Sequence, residues 1–133
     1  MYINPLQGAA LIAAHATFTK MLVSFTLRTY QYLEWDEKRL KEMESKKYMQ
    51  EFEKAQKNES EYAALLVSLM LYLSSVGPTD VASTGATIAV ASQIGYVWMR
   101  TVVGYPALPT ITLAVVRYGG LALLVNELWK VAF

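Results

Sequence analysis

The residues best suited to chemistry lie in one polar stretch, 54–62, at the start of an apolar segment of membrane length. On a helix, Lys54, Asn58 and Glu61 share one face because they are spaced i, i+4 and i+7, and Tyr62 lies beside them. A cation, an amide and a carboxylate on one face are suited to a small zwitterion. The pattern therefore predicts a ligand site, with helix-end polarity or hydrogen bonding between subunits as the alternative.

The rest of the sequence indicates a membrane protein. Hydrophobic residues make up 54% of the 133 residues. Seven of the twelve Lys and Arg residues and nine of the eleven Asp and Glu residues fall within 34–61. A chain of this size forms one domain, 1–133, and is too short to bury so much apolar sequence in a water-soluble core. The composition therefore predicts a bilayer or partner subunits around the chain.

Apolar runs of about 17–25 residues, the length that crosses a bilayer as a helix, occur four times. The predicted spans are about 8–33, 58–76, 81–103 and 110–129, joined by a charged helical connection, 34–57. Breakers at Gly77-Pro78 and around Pro106 separate the last three spans. The predicted fold is an all-α membrane protein, a bundle of four transmembrane helices arranged as two up-down hairpins.

Basic residues set the predicted orientation. The connection 34–57 carries seven Lys and Arg residues, whereas the N-terminus and the turn at 76–80 carry none. Because basic loops stay on the cytoplasmic side, the connection is predicted to face the cytosol or the mitochondrial matrix. Arg28 and Arg100 then approach the same side as the polar stretch 54–62. Charges in spans are costly unless they face protein or ligand, so these arginines predict a convergent polar pocket near one interface.

The polar stretch also resembles the signature of the membrane-associated eicosanoid and glutathione metabolism (MAPEG) family. In that signature a basic residue, Ala, His or Gln, any residue, Asn, two further residues and Glu open the second transmembrane helix. Here the slots hold Lys54, Ala55, Gln56, Asn58 and Glu61, and Tyr62 follows as in the leukotriene-synthase branch. Arg100 and Tyr105 similarly match an Arg-three-residues-Gly-Tyr pattern at the end of the third helix.

The resemblance implies a homotrimer that binds glutathione between adjacent subunits and activates its thiol toward lipophilic electrophiles. It implies catalytic roles for Arg100 and Arg117. It also implies seven glutathione-binding residues: Arg28, Lys54, Gln56, Asn58, Glu61, Tyr62 and Tyr105. Cationic groups would lower the pKa of the glutathione thiol, so that more of the nucleophilic thiolate is present at neutral pH. The membrane would be that of the endoplasmic reticulum or the mitochondrion.

A second function class stays open, a non-catalytic member of the same fold. Such a protein would bind lipid or act as a scaffold subunit in a larger membrane assembly, for example a mitochondrial respiratory complex. The chain has no cysteine, so any thiol chemistry must use a thiol brought by a ligand. Its net charge of +1 gives no case for nucleic acid, and no metal site is predicted. His15, the one histidine, is expected to be a hydrogen-bonding residue in helix packing.

Overall fold

The computed structural model describes residues 2–34, 38, 41–42, 45–103 and 107–133. Four helices account for most of these residues, and the described part contains no strand. The helices are α1 (Pro5–Glu34), α2 (Lys47–Ser75), α3 (Asp80–Trp98) and α4 (Ala107–Ala132), and a π-helical segment, Met99–Val103, continues α3. This confirms the prediction of an all-α protein. Each predicted span lies in its own helix.

Local sequence explains where two of the helices begin. Before α1, the Asn4 side chain accepts a hydrogen bond from the Gln7 backbone N–H at 2.9 Å. The Gln7 side chain accepts from the Asn4 N–H at 3.0 Å, which completes a reciprocal capping box. Before α3, the Thr79 hydroxyl accepts from the Ala82 N–H at 3.0 Å. The preceding turn has Gly77 at φ +103°, a conformation that glycine adopts without steric cost.

One buried face of α2 forms the centre of the core. Most of its buried residues recur every three or four positions, and these are Met49, Phe52, Ala55, Glu59, Ala63, Leu66, Met70 and Leu73. This periodicity is that of a helix with a single apolar stripe. Ile12 of α1 and Ala86 of α3 join the same cluster. Glu59 is therefore a carboxylate at a position of the core stripe.

Helices α3 and α4 approach each other most closely. The small residues Ala82, Gly85, Ala86 and Ala89 of α3 are buried. A Cβ atom added at Gly120 of α4 would lie 2.6 Å from the Ala89 backbone nitrogen and 2.9 Å from the Gly85 carbonyl oxygen. The backbones themselves are therefore in contact, as small residues allow in membrane helix pairs.

Two helices are long and apolar enough to cross a membrane, over Pro5–Thr26 and Leu108–Ala132. Only 22% of each of these segments is buried. Their large apolar side chains instead lie on the surface, including Phe18, Met21, Phe25, Val115 and Trp129. Continuous exposed apolar surface of this kind is rare on soluble monomers and marks contact with lipid or with other protein.

Candidate functional site

A buried arginine, Arg117, lies where α2, α3 and α4 meet. Its guanidinium donates to the Asn58 side-chain oxygen at 2.9 Å and to the Gln93 side-chain oxygen at 2.7 Å. The Arg117 residue is only 2% exposed, and Gln93 is fully buried. Both acceptors are neutral amides, so they hold the guanidinium in place without cancelling its charge. We call Arg117, Asn58, Gln93 and Tyr62 the Arg117 centre.

Aromatic rings surround the same guanidinium. The Arg117 Cζ atom lies 3.8 Å from the centre of the Tyr62 ring, 5.1 Å from that of Tyr96 and 5.2 Å from that of Tyr118. The hydroxyl oxygens of Tyr62 and Tyr118 are 2.6 Å apart and share a hydrogen bond. Cation–π attraction to the rings partly compensates the loss of water around the charge. The rings supply no negative charge.

The Arg117 centre has unused donors. Within the described part of the chain, Arg117 forms no salt bridge with a carboxylate. The Arg117 Nε and Gln93 Nε2 atoms are buried, and neither has a hydrogen-bond partner among the described residues. A buried donor without a partner is costly, and a buried cation without an anion more so. The arrangement is chemically suited to an anionic ligand atom.

A second arginine, Arg100, is already neutralised. Its Nε donates to the Glu51 carboxylate at 2.8 Å, and its Nη1 donates to the Tyr96 hydroxyl at 2.7 Å. The Glu51 and Arg100 side chains are 13% and 16% exposed, so water screens this ion pair only partly. Lys54 adds a third charge, with its Nζ atom 3.1 Å from Glu51. This charge cluster joins α2 to the π-helical end of α3.

The charge cluster predicts a pH dependence of stability. The hydrogen bond from Arg100 lowers the pKa of the Glu51 carboxyl below its ordinary value of 4.5, burial opposes this, and Lys54 adds to the lowering. Because the folded-state pKa is the lower one, the stabilisation is complete above the ordinary value and is lost as pH falls through the folded-state value. We expect Glu51→Gln to be less stable than wild type near neutral pH and to approach it as the pH falls below 4.5. Thermal unfolding in detergent across this pH range measures the difference in stability between the two proteins. A difference that does not change with pH would contradict a stabilising ion pair between Glu51 and Arg100.

A buried acid–base pair lies between α1 and α2. The Glu59 carboxylate, which is fully buried, bonds to the His15 Nδ1 atom and accepts a hydrogen bond from the Thr19 hydroxyl. The His15 Nε2 atom is also buried, without a partner among the described residues. The His15 ring meets Trp98 of α3 edge-on, with ring centres 5.9 Å apart. We call His15 and Glu59 the His15–Glu59 pair.

The residues predicted for ligand binding divide into groups. Asn58 and Tyr62 lie together with Arg117, as described above. Lys54 and Glu61 are exposed, and among the described residues only Lys54 of the two has an ion-pair partner. Gln56 is half-buried and donates to the Ser60 hydroxyl at 2.6 Å. The single chain therefore does not bring Lys54 and Glu61 into the Arg117 centre.

The structure does not test the ligand-binding roles predicted for two further residues, Arg28 and Tyr105. Arg28 lies within α1, but its side chain is outside the described part of the chain. Tyr105 lies outside the described residues altogether. The roles that the resemblance implies for both remain predictions.

Sequence reasoning missed Glu51, Glu59, Gln93 and Tyr96 as members of polar clusters. For Glu59 a signal was available, because it falls in register with the apolar residues Phe52, Ala55 and Leu66. For Gln93 the signal was a single amide within an otherwise small or apolar helix. Polar side chains at such positions must find partners inside the bundle.

Two cavities have linings that include no residue of the Arg117 centre. One, of about 570 Å³, lies between the start of α1 and the start of α3 and is lined by Tyr2, Asn4, Gln7, Asp80, Ser83 and Thr84. The other, of about 380 Å³, lies on the outer side of α1. Among the residues that the structure describes, no three His, Asp or Glu side chains are grouped to hold a metal ion.

The fold and these clusters define an all-helical protein with two helices able to cross a membrane and, at a three-helix junction, a buried arginine that has no carboxylate partner among the described residues. Comparison of the chain with known protein families, with curated proteins and with solved structures finds no match.

Proposed function

We propose that the chain is an integral-membrane protein of the MAPEG type that binds glutathione at the Arg117 centre and activates its thiol toward lipophilic electrophiles. One observation carries the proposal. The resemblance implies glutathione binding by Asn58 and Tyr62 of α2 and a catalytic role for Arg117 of α4, and the buried Arg117 side chain contacts both of those residues. Tyr62 and Arg117 are 55 positions apart along the chain, so local sequence does not bring them together.

The chemistry of the cluster agrees with thiol activation. A thiol becomes a nucleophile when it loses its proton, and a nearby cation favours the resulting thiolate. Arginine suits this role because it stays protonated under all ordinary conditions. In a site shielded from water, its attraction to developing negative charge is stronger than at the surface. The unused N–H groups of Arg117 and Gln93 are the donors that would receive the thiolate.

The exposed residues of the signature support a trimer as part of the proposal. In the family that the sequence resembles, glutathione lies between adjacent subunits. Lys54 and Glu61 lie on the surface of α2, where a second copy of the chain would have to complete a site. Membrane lipid would cover the remaining apolar surface of α1 and α4. A lipophilic substrate would reach the thiolate from the lipid side.

All four helices are proposed to span the bilayer, with the connection 34–57 on the cytosolic or matrix side. The absence of cysteine allows a direct test, because single cysteines can be introduced without background. We expect a membrane-impermeant thiol reagent to label Ser45→Cys from the side of the connection and Ser75→Cys from the opposite side. Ser68→Cys, on the exposed surface between them, should label only after detergent is added. Labelling of Ser45→Cys and Ser75→Cys from one side would contradict four spans.

The activity is tested by turnover. Protein in lipid nanodiscs, supplied with glutathione and either chlorodinitrobenzene or cumene hydroperoxide, should form conjugate or oxidised glutathione. We expect Arg117→Gln to lower the rate about 100-fold or more, as for loss of a group that stabilises charge in the transition state. Lys57→Gln, an exposed change on α2, is the matched control and should keep the wild-type rate. Equal rates for both variants would rule out Arg117 as the activating group.

The scaffold function remains a second candidate because of Arg100. Glutathione has two carboxylates, and a binding site needs cations for them. Arg100 is instead held by Glu51 and Tyr96 of the same chain. A folded protein that neither binds glutathione nor turns it over, and that co-purifies with a larger membrane complex, would favour this candidate.

A further inference from the structure

We propose that the cavity between the start of α1 and the start of α3 binds the zwitterionic headgroup of phosphatidylethanolamine. We call it the α1–α3 cavity. The inference goes beyond the proposed function and does not depend on it, because the residues that line this cavity include none of the Arg117 centre. The cavity volume of about 570 Å³ lies within the usual range of about 300–1,000 Å³ for small-molecule sites.

The α3 side of the cavity offers hydrogen-bond acceptors. The Ser83 hydroxyl donates to the Thr79 carbonyl oxygen at 3.0 Å, and the Thr84 hydroxyl donates to the Asp80 carbonyl oxygen at 2.9 Å. Each hydroxyl has one hydrogen, so the Ser83 and Thr84 oxygens can only accept from a ligand. The Asp80 carboxylate is likewise an acceptor. This side of the cavity therefore suits a cation that carries several N–H donors, such as a primary ammonium group.

The charge of Asp80 is available to a ligand. Asp80 forms no salt bridge within the described part of the chain, and the residues that line the cavity include no lysine or arginine. The cap of α3 does not use this carboxylate either, because the Thr79 hydroxyl accepts from the Ala82 N–H. A ligand cation would therefore supply the positive charge that the lining of the cavity lacks.

The α1 side of the cavity offers hydrogen-bond donors. In the capping box, the side-chain oxygens of Asn4 and Gln7 each accept from the backbone N–H of the other residue. A backbone N–H can only donate, so this exchange fixes which end of each amide is the oxygen. The two side-chain NH₂ groups can then donate to an anionic oxygen. Donors on α1 and acceptors on α3 match the phosphate and the ammonium group of one headgroup.

The position of the cavity favours a lipid over a dissolved zwitterion. The segment of α1 that is able to cross a membrane begins at Pro5, next to Asn4, so the cavity lies at the level of lipid headgroups. On the face of α1 that carries Gln7, Leu11 and Phe18 follow at i+4 and i+11, and both are exposed. At 1.5 Å per residue this stripe is about 16 Å long, roughly half of a hydrocarbon core of about 30 Å. It could therefore hold an acyl chain of one leaflet.

The lipid selectivity of the purified protein tests the inference. Native mass spectrometry from detergent counts bound lipids when phosphatidylethanolamine, phosphatidylcholine and phosphatidylglycerol with identical acyl chains are added in equal amounts. Choline has no N–H donor and phosphatidylglycerol has no cation, so we expect about tenfold more phosphatidylethanolamine than either to bind.

Variants of the cavity lining locate the site. We expect Asp80→Asn to remove most of the preference for phosphatidylethanolamine, and Ser83→Ala to lower it about threefold. Ser75→Ala is the matched control, because the Ser75 hydroxyl also donates to a carbonyl of its own helix, that of Tyr72 at 2.7 Å, but does not line the cavity. It should keep the wild-type preference.

The outcomes decide the inference independently of glutathione, which is absent from these measurements. Equal binding of the three lipids by the folded wild type would overturn it, even if a variant fails to fold. An unchanged preference in folded Asp80→Asn would overturn it as well. Displacement of the lipid by an equal concentration of soluble glycerophosphoethanolamine would overturn the assignment to a membrane lipid. A protein that fails to bind glutathione but selects phosphatidylethanolamine would lose the proposed function and keep this site.

Discussion

Replacing Gly120 by alanine is expected to lower the free energy of unfolding by about 3 kcal/mol, at the upper end of the usual range for overpacking. The added Cβ would lie 2.6 Å from the Ala89 backbone nitrogen. Backbone atoms cannot move aside as a flexible side chain can, so α3 and α4 must separate. Their separation would also disturb Gln93 and Arg117, which these two helices carry.

The neighbouring residue supplies a matched control. A Cβ added at Gly119 would meet no atom within 4 Å, and Gly119 lies on the same helix. Alanine favours a helix over glycine by about 1 kcal/mol, so Gly119→Ala should be neutral or slightly stabilising. Thermal unfolding of both variants in the same detergent measures the contrast. If Gly120→Ala were as stable as Gly119→Ala, the close packing of α3 on α4 would be wrong.

Replacing Arg117 by glutamine is expected to weaken glutathione binding about 100-fold or more, within the range for removing one partner of a buried charge pair. The same change should not lower the unfolding temperature of the ligand-free protein. The reason is that Arg117 is buried without a carboxylate partner among the described residues, so its removal leaves no buried carboxylate unpaired. A residue kept for function at the expense of stability gives this combination of results.

Binding titrations and thermal unfolding of the same Arg117→Gln preparation provide the measurement, with Lys57→Gln as control. A purely structural arginine would give the opposite pattern. In that case the unfolding temperature would fall by several degrees, because the loss of the hydrogen bonds to Asn58 and Gln93 would outweigh the benefit of removing a buried charge. Glutathione binding, if present at all, would then be unaffected in the molecules that stay folded.

Much of the fold followed from sequence because helix formation here is local. Apolar runs bounded by Gly77-Pro78 and by Pro106 predict the separate helices. Predicting which helices span a membrane is harder than predicting the helices themselves. The start of α2 is charged, and α3 is rich in Ser, Thr and Gly, so only α1 and α4 are apolar enough to be recognised by composition alone.

The site was predicted less well, for a geometric reason. The stripe Lys54, Asn58 and Glu61 is one residue out of register with the buried stripe that contains Ala55 and Glu59. One residue is a rotation of about 100° on a helix. The first stripe is polar throughout and therefore resembles a site, whereas the buried stripe is apolar except for Glu59. The pairing of Arg100 with Glu51 likewise depends on contact between helices, over 49 residues of sequence.

Calorimetry on the folded wild-type protein in nanodiscs measures directly whether the Arg117 centre binds glutathione. We expect saturable binding that is retained in Lys57→Gln and lost in Arg117→Gln. Absence of binding at millimolar glutathione, in a sample that unfolds cooperatively on heating, would contradict it.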